Sequence, residues 1–442
     1  MLHSLSVRGV GPARALDVRP APRLNLFTGD NGLGKSFLLD LAWWTLAGTW
    51  PEGVPATPTP SLTAGVRNVR EARILWTSDT RQGAPSEQEE ARFDPEAEGL
   101  WRRQQRESGD EPPKPGLVLY ARIDGGFSVW DPARNYWRQL GARGFAHPER
   151  PDAYHFDRQQ VWDGMTLGDT RVSEGLIRDW VSWQRKHAAG EVDGVDPFAL
   201  LTAALSRLSA DQRELLQPGR ITRVVGGGAR DYPTLRFPYG EVPVHIASSA
   251  MRRISALAYL IVWTWYEHVR ACKVLGDEPE RRFMILWDEV ETHLHPRWQR
   301  LVLPALLEVI QGLNEGMRVQ LWATTHAPLV LASVEPSFDP GLDALHLLKL
   351  DGQEVSIQRT RWVARGDALN WLLSDIFGLQ QARSVRAEVA IEAAEAWMRG
   401  DVAALPDHLR TPDAIHDELR ALLPGMDPFW PRWIVHRGRG TS

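Results

Sequence analysis

The sequence predicts an α/β fold, and three observations carry that prediction. Leu24–Thr28 reads as a strand, Gly29–Ser36 as a glycine-rich loop and Phe37–Gly48 as a strongly apolar helix. Phe283–Trp287 is an unbroken apolar run that ends in Asp288-Glu289. Val319–Ala323 is another such run and ends in Thr324-Thr325-His326. Strands that are apolar throughout belong to parallel sheets covered on both faces, and ligands sit beyond their carboxyl ends.

The other elements follow in chain order. Residues 4–28 read as strand, turn at Gly9-Val10-Gly11-Pro12, second strand and third strand. Arg73–Thr77 and Leu117–Ile123 have strand composition, and Phe127–Trp130 after Gly125-Gly126 completes a hairpin. Residues 83–116, rich in Glu, Gln, Pro and Gly, read as an exposed acidic excursion. Residues 170–217 are helical in pattern, with Leu176, Ile177, Trp180, Val181 and Trp183 on one face. Ile221–Val225 and Thr234–Phe237 are strand candidates. A long helix is expected from Ser249 to Arg270, and a further one over Pro296–Leu313. Leu345–Leu350 and Val355–Thr360 form a late hairpin, and the last 75 residues are mostly helical. The expected organisation is four regions. Residues 1–165 hold the N-terminal part of the core with an antiparallel β lobe, and 166–220 a helical lobe. Residues 221–350 hold the rest of the core, and 351–442 a helical region suited to partner docking.

Composition excludes several classes. The 442 residues are 43% hydrophobic and 24% charged, which is an ordinary globular balance. The single cysteine, Cys272, excludes a disulfide framework and a multi-cysteine zinc site. The longest apolar run, Ile254–Tyr266, is shorter than the ~18 residues of a spanning helix. With no basic and apolar leader at Met1-Leu2-His3-Ser4, a cytoplasmic protein without membrane contact is expected. A formal charge of −5 argues against a surface coated in positive charge. Residues 83–116 carry nine acids against five bases, so most of that charge is local. Only five basic residues are lysines.

One of the five is Lys35, in Gly29-Asp30-Asn31-Gly32-Leu33-Gly34-Lys35-Ser36. This fits G-x-x-x-x-G-K-[ST], with a strand before it and a helix after. In such a loop backbone N–H groups surround an anion, the lysine reaches β- and γ-phosphates and the Ser36 hydroxyl holds Mg²⁺. Asp288, at a strand end, would hold Mg²⁺ through water. Glu289 would take a proton from attacking water, and His326 would contact the γ-phosphate. Ala247-Ser248-Ser249-Ala250 precedes the long helix, where Ser248 or Ser249 can act as a cap or a phosphate clamp.

Phosphate loop, Ser-Ser helix start, Asp-Glu strand and Thr-Thr-His stand in an order that resembles ABC-type head ATPases, the class of SMC and RecF-like proteins. Asp288-Glu289-Val290-Glu291-Thr292-His293-Leu294-His295-Pro296 is similar to the D-E-P-E-x-H-L-H-P stretch of the OLD-like group of AAA ATPases. Thr324-Thr325-His326-Ala327-Pro328 is similar to that group's T-T-H-S-P. By motif the resemblance covers residues 1–50 and 220–330. It implies an ABC-type P-loop NTPase head that binds ATP and Mg²⁺, two heads sandwiching two ATP molecules in a homodimer or higher oligomer. ATP would be bound by residues 29–36, Phe37, Ser248 and Ser249. Lys35, the general base Glu289 and the switch histidine His326 would be catalytic. Ser36 and Asp288 would hold the metal, with Gln159 or Gln160 as the loop glutamine. Val290 stands where that group has proline, and Ala247 and Ala250 where the signature has leucine and glycine.

Many OLD-like proteins continue into a Toprim nuclease domain, but no Asp-x-Asp or Glu-Gly-x-x-Asp follows His326. The chain therefore resembles the ATPase subunits of bacterial antiphage systems such as Septu, which act with a separate HNH nuclease. The alternatives are a RecF-like DNA-repair ATPase and a scaffold that binds ATP without cleaving it. A transporter subunit fits poorly, because the interval between Ser36 and Ser248 is long. Arg220, Arg223, Arg230, Arg236, Arg359, Arg361, Arg365, Arg432, Arg437 and Arg439 are the candidate DNA contacts.

Overall fold

The computed structural model describes residues 1–58, 72–80, 85–94, 96, 100–103, 115–135, 151–209, 215–224 and 229–439. The chain divides into two compact units, Met1–Asp367 and Ala368–Ser442.

The first unit is built on an eight-stranded sheet. Five strands run parallel, in spatial order Asp343–Asp351, Leu24–Gly29, Arg318–Thr324, Arg282–Trp287 and Leu117–Ala121. Glu354–Thr360 closes one edge antiparallel, and Phe127–Trp130 with Tyr154–Phe156 closes the other. The expected α/β class is therefore observed, with its P-loop strand inside a parallel sheet. The central strands are buried on both faces, as their unbroken apolar sequence requires.

Helix Lys35–Ala47 shows why both faces are covered. Leu38, Leu39, Leu41, Ala42, Trp43, Trp44 and Leu46 are all buried, so the helix is apolar all round. It packs against strands of the parallel sheet and against Leu2–Val10 of a second sheet. That second sheet is antiparallel, in the order Ala13–Val18, Leu2–Val10, Arg73–Ser78, Glu89–Phe93 and Trp101–Arg103. It is the expected β lobe, but two of its strands come from the stretch expected to be an exposed excursion. Ala91 and Trp101 are buried there, and Trp101 Nε1 donates to the Ala56 carbonyl at 2.9 Å. Residues 81–84, 95, 97–99 and 104–114 lie outside the described residues.

The helical stretch begins later than expected. Thr170–Ser173 is a strand paired with Met165–Leu167, and Leu176–Ala189 and Pro197–Arg207 are the helices. Both pack with the 27-residue helix Ser249–Leu275 or its neighbours. Tyr259 joins the layers, donating to Asp179 Oδ2 at 2.7 Å and standing 2.9 Å from Ser173 Oγ. Burial pushes the Asp179 carboxyl up to about 7.

The late hairpin belongs to the parallel sheet, so the first unit runs past the expected boundary at 350/351 to Asp367. The second unit is helical, with Val385–Arg399 and Pro412–Leu422 packed on each other. Its core holds Ile391, Ile415, Leu419 and Trp433. Several aromatics of the tail pack inside this unit. Trp433 is fully buried edge-on to Trp397, and Trp430 Nε1 donates to the Pro424 carbonyl at 2.7 Å. Among the described residues no helix is long and apolar enough to cross a membrane.

Asp179 generates a prediction. Its folded pKa lies above its unfolded one, so its contribution is complete below pH ~4 and is lost as pH rises through about 7. Asp179→Asn is expected to flatten that decline, removing on the order of 2–4 kcal/mol of pH-dependent stability between pH 4 and 8. Urea unfolding across that range checks it.

Candidate functional site

All five parallel strands point the same way, so the turns after Gly29, Thr324 and Trp287 meet at one end of the sheet. The phosphate loop needs its glycines. Gly29 has φ +134°, and a Cβ there would lie 2.2 Å from the Leu348 carbonyl oxygen. Gly34 has φ +90° and forms the start of helix Lys35–Ala47. The tip, Asp30–Gly32, is exposed, while Lys35 is buried. Lys35 Nζ donates to the carbonyls of Gly29 at 2.9 Å and Asp30 at 2.7 Å. Burial pulls its pKa down, opposed by the nearby carboxylates of Glu289, Asp288 and Asp30.

Asp288 is the first residue past its strand and is buried. Its N–H donates to the Ala121 carbonyl at 3.0 Å, which fixes the strand end. One hydroxyl then organises both acids. Thr324 Oγ1 donates to Asp288 Oδ1 at 2.7 Å and accepts from the Glu289 N–H at 2.7 Å. Glu289 has φ +44°, a left-handed conformation that costs a non-glycine residue about 1–3 kcal/mol. The turn is thus not the continued strand that alternating side chains would suggest. Thr292 Oγ1 donates to Glu289 Oε2 at 3.0 Å.

His326 follows the neighbouring strand. Burial and the Lys35 charge lower its pKa, opposed by the carboxylates of Glu291, Glu289 and Asp30. Its backbone N–H donates to Glu291 Oε1, and Thr325 Oγ1 donates to Glu291 Oε2 at 2.8 Å. Arg253, in the first turns of helix Ser249–Leu275, donates from Nη2 to the Asp288 carbonyl at 3.3 Å. Burial lowers the Arg253 pKa while Asp288, Glu289 and Glu291 oppose the shift. Behind the loop, Tyr120 donates to Asp40 Oδ1 at 2.9 Å, and burial pushes Asp40 up to about 6.

The structure therefore brings together Lys35, Asp288, Glu289 and His326. Ser248 caps the long helix by accepting from the Met251 N–H at 3.4 Å, and both Ser248 and Ser249 are exposed. That helix reaches the acids of its own chain through Arg253. Gln160 is spent in a capping box, its Oε1 accepting from the Asp157 N–H at 2.9 Å. Gln159 is exposed on the helix after Tyr154–Phe156, a strand that runs parallel to Arg282–Trp287 three strand positions away and so ends on the same side of the sheet. Three contributors had no role in the sequence reading: Thr324, Glu291 and Arg253. A hydroxyl at the end of an apolar strand beside an acid-ended one is the signal that could have found Thr324.

Among the described residues no three His, Cys, Asp or Glu side chains cluster as a metal cage. Hard oxygens from Ser36 and Asp288 suit Mg²⁺ completed by phosphates and water, which needs no such cage.

Most of the arginines considered for DNA contact are ion-paired. Arg220 and Arg236 meet Glu241, Arg223 meets Asp231 and Arg230 meets Asp163. Arg432 pairs with Glu395 and Arg437 with Asp413. The Arg359 guanidinium donates to the carbonyls of Pro340 and Asp343.

Residues 239–332 match the family described as "AAA domain, putative AbiEii toxin, Type IV TA system". The match contains Ser248, Asp288, Glu291, Thr324 and His326. A 98-residue stretch is 29% identical to the Escherichia coli protein named "Retron Ec83 probable ATPase". That stretch is 22% of this chain and spans only 15% of that protein's length. Among solved structures, an SMC head domain from Thermotoga maritima aligns over 82% of this chain and 99% of its own, at 13% identity and TM-score 0.37. A RecF structure from the RecFOR pathway aligns over 82% and 98%, at 11% identity and TM-score 0.37. These TM-scores are low, so the fold assignment stands on sheet order and site geometry.

Thr324→Val leaves the Glu289 N–H unpaired and removes the donor to Asp288. It is expected to cost about 1–3 kcal/mol, while Thr324→Ser keeps both bonds and stays near the parent. Paired denaturant melts check it.

Proposed function

We propose that the chain is an ATP-binding and hydrolysing ABC-type head ATPase. It dimerises around ATP and regulates or loads a separate nuclease effector, of HNH type, on DNA in bacterial antiphage defence. The observation that supports this best is the convergence of Lys35, Asp288, Glu289 and His326 on one sheet end, with Thr324 fixing both acids.

The residues divide the work. The Lys35 ammonium exchanges the Gly29 and Asp30 carbonyls for β- and γ-phosphate oxygens. Amides of residues 29–36 and the positive end of the helix surround the same phosphates. Ser36 and Asp288 would hold Mg²⁺, which supplies charge neutralisation on the phosphates. Glu289 orients the attacking water and accepts its proton. The His326 imidazole donates one hydrogen bond to the γ-phosphate. Ser248 and Ser249, exposed at a capped helix start, suit phosphate contact in a partner head.

A relative named as a retron ATPase, and a family described by a toxin–antitoxin system, fit a chain that works with an effector.

Lys35→Ala is expected to lower ATP affinity at least tenfold. Glu289→Gln should bind ATP normally, slow phosphate release at least 100-fold and accumulate an ATP-bound dimer. Nucleotide titration, phosphate release and sedimentation with ATP and Mg²⁺ test all three. A parent chain that binds ATP but releases no phosphate, alone or with DNA and effector, would leave a scaffold instead.

A further inference from the structure

Glu291 lies two residues past the general-base position, and its carboxylate is turned inward. The ladder between the two strands ends at the pair Trp287–Ala323. Beyond it, the Val290 N–H still donates to the Thr324 carbonyl at 3.1 Å, and the Thr325 N–H to the Phe27 carbonyl at 3.0 Å. His326 carries the next amide, and Glu291 Oε1 takes it. Glu291 Oε2 takes the Thr325 hydroxyl at 2.8 Å, and that hydroxyl accepts from the Ala327 N–H at 3.0 Å. One carboxylate thus binds both residues of the histidine turn.

The base of this clamp is fixed. Val290 is fully buried, the Glu289 carbonyl accepts from the Thr292 N–H at 3.0 Å, and the Glu291 carbonyl accepts from the Leu294 N–H at 2.8 Å. Electrostatics argue that the group does more than satisfy one amide. A third carboxylate beside Asp288 and Glu289 repels incoming phosphates, whereas a neutral acceptor could satisfy one amide without that repulsion. What the carboxylate adds is two charge-assisted bonds to adjacent residues, which orient a turn rather than merely fill a valence.

We propose that Glu291 is a positioning residue that clamps the Thr325–His326 turn to the acid-bearing loop and so sets the His326 imidazole at the γ-phosphate. This rests on the ATPase reading above. Phosphates are held mainly by the loop and Lys35, so the clamp acts on turnover rather than on affinity.

The test compares Glu291→Ala, Glu291→Gln, His326→Ala and the Glu291→Ala/His326→Ala double variant in the full chain. Glu291→Ala is expected to lower kcat for ATP at least tenfold without weakening ATP binding, since it also removes a charge that repels the phosphates. Glu291→Gln can still accept from the His326 N–H and bond Thr325, and recovers kcat to within about threefold. The double variant is no slower than His326→Ala, because both act through one imidazole. In nucleotide-free protein, amide exchange of residues 325–327 rises at least tenfold in the alanine variant and not in the glutamine one. Losses that multiply in the double variant overturn the proposal. So does unchanged exchange in Glu291→Ala, whether or not the parent turns ATP over. A parent without turnover overturns the ATPase reading, and shows itself before any variant is compared.

Discussion

Parallel pairing of Arg318–Thr324 with Leu24–Gly29 on one side and Arg282–Trp287 on the other is the constraint on which the site depends. Those two ladders fix Thr324 opposite Phe27 and Ala323 opposite Trp287. A glycine loop, two acids and a histidine turn therefore end at one level, though the loop stands about 250 residues before the acids in sequence. A shift of one residue would turn every side chain of the strand to the other face. The apolar composition of all three strands, buried between helical and β layers, holds that register. Helix Lys35–Ala47 contributes from between the sheets, where its all-round apolar surface has no wet side to rotate toward.

At the sheet end, like charges are held together by groups the chain supplies. Asp288, Glu289 and Glu291 crowd one corner, and Lys35 and Arg253 lie within their field. The strained Glu289 backbone belongs to the same arrangement. A left-handed residue at that position turns the chain sharply enough for one threonine hydroxyl to serve both acids. Strain of this kind persists where the surroundings over-determine it, here through the Ala121, Thr324 and Thr292 bonds.

Much of this was legible in the sequence, and the exceptions have physical causes. The loop, Lys35, the acid-ended strand and the His-ended strand are local patterns whose meaning does not depend on distant partners. Glu89–Phe93 and Trp101–Arg103 do depend on them. Their charged residues look solvated until Arg73–Ser78 supplies the neighbouring strand and buries Ala91. The tail aromatics are a different case, since aromatic content alone does not distinguish a docking face from a small core. The arginine clusters are a related case. Their partners Glu241, Asp231 and Asp163 are nearby in space, and residue counts do not reveal pairing. Glu291 was visible as a letter within a motif, but its role comes from the far side of a strand crossing.

Whole-chain charge says little about such a site, and the choice of one cation says more. Lys35 must first hold two backbone carbonyls, at 2.9 and 2.7 Å, inside a loop where a side chain at Gly29 or Gly34 would collide with Leu348 or Pro12. A compact ammonium with three rotatable donors can pass from those oxygens to phosphate oxygens without moving the backbone. A planar guanidinium has its donors fixed in a fork and needs a wider, flatter space. In a chain that otherwise uses arginine nearly everywhere, the site geometry accounts for a lysine at this position.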